Sequence, residues 1–159
     1  MNNSIIRLDL EQMAELLPDY LLKERNTALH DIMAGCHFQP LNDNSGPYGI
    51  SLSIEDGRLV LRMRNAQQAE LPALALSLSP YRRLIQDYFL MIESYEAARQ
   101  HATREKLEAI DMGRRGLHNE GAELLKKRLA DKIDIDFETA RKFFTLLCVL
   151  HKTHMKLVG

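Results

Sequence analysis

The apolar positions of this chain follow two kinds of repeat, and the switch between them marks its elements. Residues 20–34 place Leu21, Leu22, Ala28, Leu29, Ile32 and Met33 at helical spacing, with Asp19 as the expected cap in front and Gly35 as the stop. A shorter helix is expected over residues 10–17, limited by Pro18. Between residues 42 and 79 the period becomes two. Ile50, Leu52 and Ile54 alternate with Ser51 and Ser53, and Glu55-Asp56-Gly57 supplies the turn chemistry of a hairpin. The returning strand puts Leu59, Leu61 and Met63 on one face and Arg58, Val60, Arg62 and Arg64 on the other. Leu74, Leu76 and Leu78 then alternate with Ala73, Ala75 and Ser77 in a third strand. A one-residue slip in pairing would turn every apolar row to solvent, so the three rows are expected to share one buried face.

Helical spacing returns at Ser79-Pro80, where serine can cap free amides and proline fits the first helical position. The helix is expected to reach about Gln100, burying a stripe of Tyr81, Leu84, Ile85, Tyr88, Phe89, Ile92 and Tyr95. Thr103 caps the next helix, which is expected to end near Met112. Gly113, Gly116 and Gly121 would loosen the backbone there, before residues 122–130 resume helical spacing. Asp136 caps a last helix whose Phe137, Ala140, Phe143, Phe144, Leu147 and Leu150 form an apolar face. These elements predict an α+β fold, a three-stranded antiparallel meander with four to six helices packed mainly on one face. The 159 residues are expected to form one domain, with 1–18 and 153–159 at its periphery.

Charge narrows the choice of partner. Lys and Arg number 21 against 22 Asp and Glu, so no global field attracts nucleic acid or anionic membrane, and an anion site has to be a local cluster. Nucleic acid is therefore not an expected partner. The apolar run 143–150 is too short for a membrane helix, and the first ten residues lack the apolar core of a signal peptide. With two distant cysteines, Cys36 and Cys148, expected to be reduced thiols, a cytoplasmic location is predicted.

The densest polar constellation is residues 111–121, read as a break between two helical segments. Arg114 and Arg115 offer forked donors to phosphate or carboxylate, and flanking glycines permit close backbone approach. A helix starting near Asn119 would add free amides, with Asp111, Asn119 and Glu120 completing a ligand-binding set. His118 is the candidate acid-base catalyst. A purely structural reading competes: Asn119 as a cap, Glu120 and Glu123 complementing a helix dipole, and the arginines paired with nearby carboxylates. A second candidate is the outer sheet face, where Arg58, Arg62 and Arg64 sit beside Ser51, Ser53, Ala73, Ala75 and Ser77. It has no aromatic platforms for bases and reads as a solvated face or subunit contact. A third pattern, Cys148, His151 and His154, steps by three and drifts around its helix, so no metal site is expected. No dinucleotide, Walker, zincin or serine-elbow motif occurs, and no cofactor is expected.

From Leu74 onward the segments LSLSPYRRLIQDYFLMIESY, LEAIDMGRRGLHNEG and DFETARKFFTLLCVLH, with the weaker KERNTALHDI and GPYGISLS, resemble the bacterial Uncharacterised Protein Family 0262. The resemblance covers about residues 20–151. The family's typical Pro-Phe-Arg-Arg stands here as Pro80-Tyr81-Arg82-Arg83. The resemblance implies no activity and transfers no catalytic residue. It also implies that His154 lies beyond any shared site, because family members often end near the Cys-Val-Leu segment. The expected function is binding of a small anionic or phosphate-bearing ligand at residues 114–121. The alternative is a non-enzymatic homo-oligomeric interaction module or adaptor, which would hide the Ser/Ala/Arg sheet face in an interface.

Overall fold

The turn at Asp56 and Gly57 fixes the central register. Both residues have positive φ, 52° and 71°, as a tight hairpin turn requires, and glycine adopts that conformation without steric cost. In the computed structural model, which describes residues 2–11 and 14–158 with side chains to Met155, this turn joins β3 (Tyr48–Glu55) to β4 (Arg58–Arg64). Ile50 lies opposite Met63, Leu52 opposite Leu61 and Ile54 opposite Leu59. The antiparallel β5 (Leu74–Ser77) sets Leu76 opposite Leu59 and Leu74 opposite Leu61. The three apolar rows therefore share a face, buried at its centre and half-buried at Ile54, Leu74 and Leu76.

The meander is part of a larger sheet, which corrects the three-stranded expectation. β1 (Ile5–Leu10) pairs in parallel with β3, setting Leu8 beside Ile50 and Leu10 beside Leu52, so the strand order is β1-β3-β4-β5. A parallel neighbour needs a long crossover, and α1 (Asp19–Ala34) lies within it. A second sheet pairs β2 (Phe38–Pro40) with β6 (Ile133–Ile135). Residues 1–18, expected at the periphery, thus supply an edge strand with Ile5 buried, and Leu17 is buried as well. The short helix expected over residues 10–17 falls partly on residues 12 and 13, outside the described residues. Of its remainder, Ala14–Leu16 form a single 3-10 turn.

Local capping decides the other helix starts. Pro18 precedes α1 without a side-chain cap, so Asp19 sits inside the first turn, where its charge suits the helix dipole. Ser79–Tyr81 form a 3-10 turn leading into α2 (Arg82–Ala98). The Thr103 hydroxyl accepts from the Lys106 amide at 3.2 Å to open α3 (Arg104–Leu129), and Asp136 accepts from the Thr139 amide at 3.3 Å to open α4 (Phe137–Val158).

The main correction concerns α3, which runs unbroken through Gly113, Gly116 and Gly121. Each glycine costs a helix roughly 1 kcal/mol relative to alanine. The burial of Leu117, Leu125 and Leu129 offsets this, because each such side chain contributes about 1.5–3 kcal/mol when removed from water. Gly121 also has a packing reason: a Cβ there would lie 2.4 Å from the Phe144 ring. The glycine lets α3 approach α4 closely, and that approach builds the candidate site.

Candidate functional site

Because α3 is continuous, residues three and four apart share a face. Asp111, Arg114, Arg115 and His118 therefore align on one side, and that side closes a cleft of about 180 Å³ with α1 and α4. Glu24 and Ala28 come from α1, while Arg141, Lys142 and Thr145 come from α4. Among the lining residues, four cationic side chains stand against the single carboxylate of Glu24.

Arg114 is the hub. Its guanidinium donates to Glu24 Oε1 at 2.6 Å and to Asp111 Oδ1 at 2.7 Å, and Arg115 reaches Asp111 Oδ2 at 2.9 Å. Glu24, Asp111 and Arg114 are each less than a third exposed. On α4, Lys142 lies 3.5 Å from Asp31 and Arg141 3.3 Å from Glu138. These pairs leave donors over: among the described residues, Nε of Arg114 and Nε of Arg141 are buried without a hydrogen-bond partner. Burying such an N–H unsatisfied costs about 1–3 kcal/mol or more.

His118 lies deep in the same wall, 9% exposed, with Nε2 3.0 Å from the Thr145 hydroxyl. Tyr88 meets the imidazole edge-on at 5.3 Å, and Phe144 does so at 6.2 Å. Burial, followed by the charges of Arg114, Arg141 and Lys142, pushes its pKa down to about 4, while a hydrogen bond with the Arg114 backbone acts in the opposite direction. The ring is neutral at pH 7.

The structure separates the rest of the predicted set. Glu120 turns toward α2 and pairs with Arg83 at 2.9 Å, and Asn119 is exposed within the helix. With no helix start at Asn119, the expected free amides are absent, because residues 119–121 lie inside α3. Glu24, Arg141, Lys142 and Thr145 belong to the cleft and were not singled out as ligand residues from sequence. Thr145 left one signal, as the polar interruption in the apolar run 143–150.

The second candidate surface also takes shape. A groove of about 650 Å³ lies on the outer sheet face, lined by Arg7, Gly49, Ser51, Arg62, Arg64 and Ala73, with Arg62 and Arg64 on β4 directly opposite Ser51 and Gly49. The third pattern does not converge on a metal. Cys148 is fully buried, its thiol pushed well up by burial, and among the described residues no group of three or more His, Cys, Asp or Glu could hold a metal ion. Cys36 and Cys148 are free thiols. Among the described residues, no helix is long and apolar enough to cross a membrane.

Comparison with known proteins places this chain in a family. The model of an uncharacterised protein family, UPF0262, matches residues 2–153. The chain belongs to UPF0262. A UPF0262 protein of Rhizobium etli is 47% identical over 128 residues, covering 80% of this chain and 82% of that protein. One from Maricaulis maris is 43% identical over 155 residues, covering 95% of each. One from Granulibacter bethesdensis is 58% identical over 107 residues, covering 67% of this chain and 61% of the relative. No solved structure matches the chain. All cleft residues of this UPF0262 chain fall within the matched span, and His154 falls just outside it.

Proposed function

We propose that the cleft between α1, α3 and α4 binds a small oxyanion of the phosphate or carboxylate class. The observation behind this reading is the pair of buried guanidinium N–H groups, on Arg114 and Arg141, that lack acceptors in a cleft lined by four cations. Guanidinium forks match oxyanion geometry, and Arg115 and Lys142 add charge at the rim. At about 180 Å³ the cleft is smaller than the roughly 300–1,000 Å³ of drug-sized sites, so it suits a phosphate-sized group and not a whole nucleotide.

His118 serves this reading as a neutral hydrogen-bond partner that orients Thr145. With its pKa pushed down to about 4, it is not a proton donor at neutral pH. Titration calorimetry with inorganic phosphate tests the proposal. Arg115→Ala and Arg141→Ala should each weaken phosphate binding by about 1.5–3 kcal/mol, roughly tenfold to a hundredfold, with far-ultraviolet dichroism unchanged. Absence of phosphate binding at millimolar concentration, or binding indifferent to both variants, overturns it.

A further inference from the structure

We infer that the Thr145 hydroxyl is the switch of the anion cleft: it turns from His118 to the bound oxyanion, and His118 takes up a proton in exchange. The inference rests on the cleft reading above and deepens it, from where the anion sits to how pH controls its binding. A hydroxyl has one proton, so it donates to one acceptor at a time. Thr145 Oγ1 lies 3.0 Å from His118 Nε2 and 3.4 Å from the Arg141 carbonyl. The other ring nitrogen fixes which group donates. His118 is hydrogen-bonded to the backbone of Arg114, four residues earlier, in the sense that favours a protonated ring, so a carbonyl accepts an N–H there. Nδ1 therefore carries the proton of the neutral imidazole and Nε2 offers a lone pair, which makes the shorter contact a hydrogen bond from Thr145 to Nε2.

An oxyanion in the cleft competes for that one proton. Thr145 lines the cleft with Arg114, Arg141 and Lys142, so its hydroxyl stands among the cations that would hold the anion. Once Thr145 donates to the anion, Nε2 is a buried acceptor with no donor, which is costly. A solvent proton added to Nε2 removes that cost and completes a relay: His118 donates to Thr145, and Thr145 donates to the anion. Charge favours the same step. Within the chain, His118 meets Arg114 on its own helix and Arg141 and Lys142 on α4, and all three oppose its protonation. A bound anion offsets them. From α2, the Tyr88 hydroxyl meets this wall with its proton retained, its pKa pushed well up by burial. From α1 comes the Glu24 carboxylate, held by Arg114, which also holds Asp111. Protonating either carboxylate would also favour an anion, so a test has to separate them from His118.

Titration calorimetry of the full chain with sulfate, which itself takes up no proton between pH 7.5 and 5, makes that separation. Wild-type affinity for sulfate should rise about tenfold from pH 7.5 to pH 5, with uptake of up to one proton per sulfate, read from how the binding heat varies with buffer ionisation. Thr145→Val removes the shared proton and His118→Gln removes the titrating ring. Each should reduce the rise to less than about threefold, whereas Thr145→Ser should keep it. Circular dichroism at both pH values identifies the folded variants, and either one alone suffices. Two results overturn the switch and leave the cleft reading standing. One is sulfate binding that Arg141→Ala weakens but pH does not alter. The other is a rise on acidification that the folded valine or glutamine variant retains in full, which places the proton on a carboxylate. Absence of sulfate binding at every pH removes the cleft reading and the switch together.

Discussion

The helical cleft and the outer sheet groove both place arginines beside carboxylates, yet they differ in what those pairs leave unsatisfied. At the sheet, Arg62 and Glu55 are 53% and 41% exposed, and water completes whatever their mutual hydrogen bonds omit. In the cleft, Arg114 and Glu24 are 29% and 24% exposed, and the Nε groups of Arg114 and Arg141 have no acceptor among the described residues. Arginine content alone does not mark an anion site. A buried donor without an acceptor is the feature on which the proposed anion site rests, because leaving such a group unsatisfied is costly.

The largest effect that separates the two regions is the pH response of His118. Its folded pKa of about 4 lies below the ordinary 6.5, so as pH falls the unfolded chain takes up the proton first. The stability associated with the neutral ring is fully present above pH 6.5 and is lost as pH falls through about 4, amounting to about 3 kcal/mol at 1.36 kcal/mol per pH unit. Urea denaturation from pH 7 to 4 should show this loss in the wild type, and His118→Gln should remove most of it. Parallel curves for the two proteins would mean that the cleft wall is as wet as the sheet face.

A smaller contrast comes from removing one arginine in each region. Arg114→Met leaves Glu24 and Asp111 largely buried without their shared cation and should cost about 2–3 kcal/mol, somewhat below the penalty for a fully buried pair. Arg62→Met breaks an exposed pair and should cost less than about 1 kcal/mol. Equal losses in denaturant midpoint would erase the distinction drawn between the two surfaces.

What the sequence revealed follows from how far apart the interacting groups lie. The β3-β4-β5 meander was legible because its strands are consecutive and each apolar row sits opposite the next. β1 has the same alternation, with Leu8 and Leu10 set against Arg7 and Asp9, but its partner strand begins at Tyr48, beyond an intervening helix. β2 and β6 are three residues each and nearly a hundred residues apart, too short to show a period. The glycines of α3 invited a local reading as a break. Phe144, which decides the matter at Gly121, lies on another helix. The same limit governed the site. Asp111, Arg114, Arg115 and His118 are neighbours on one helix face and were found together, whereas Glu24 is 90 residues from Arg114 and Thr145 is 27 from His118. Asn119 and Glu120 were included through adjacency in sequence, which on a helix points them elsewhere.

The most direct test of the cleft as an anion site is a phosphate titration followed by nuclear magnetic resonance of the histidine rings and backbone amides at pH 7. Saturable shifts are expected at the His118 ring and the Thr145 amide, with the amides of Arg7 and Ser51 on the sheet face unmoved. An anion beside His118 should also raise the pKa of that ring. Shifts centred on the sheet face, or a His118 ring indifferent to phosphate at tens of millimolar, would contradict it.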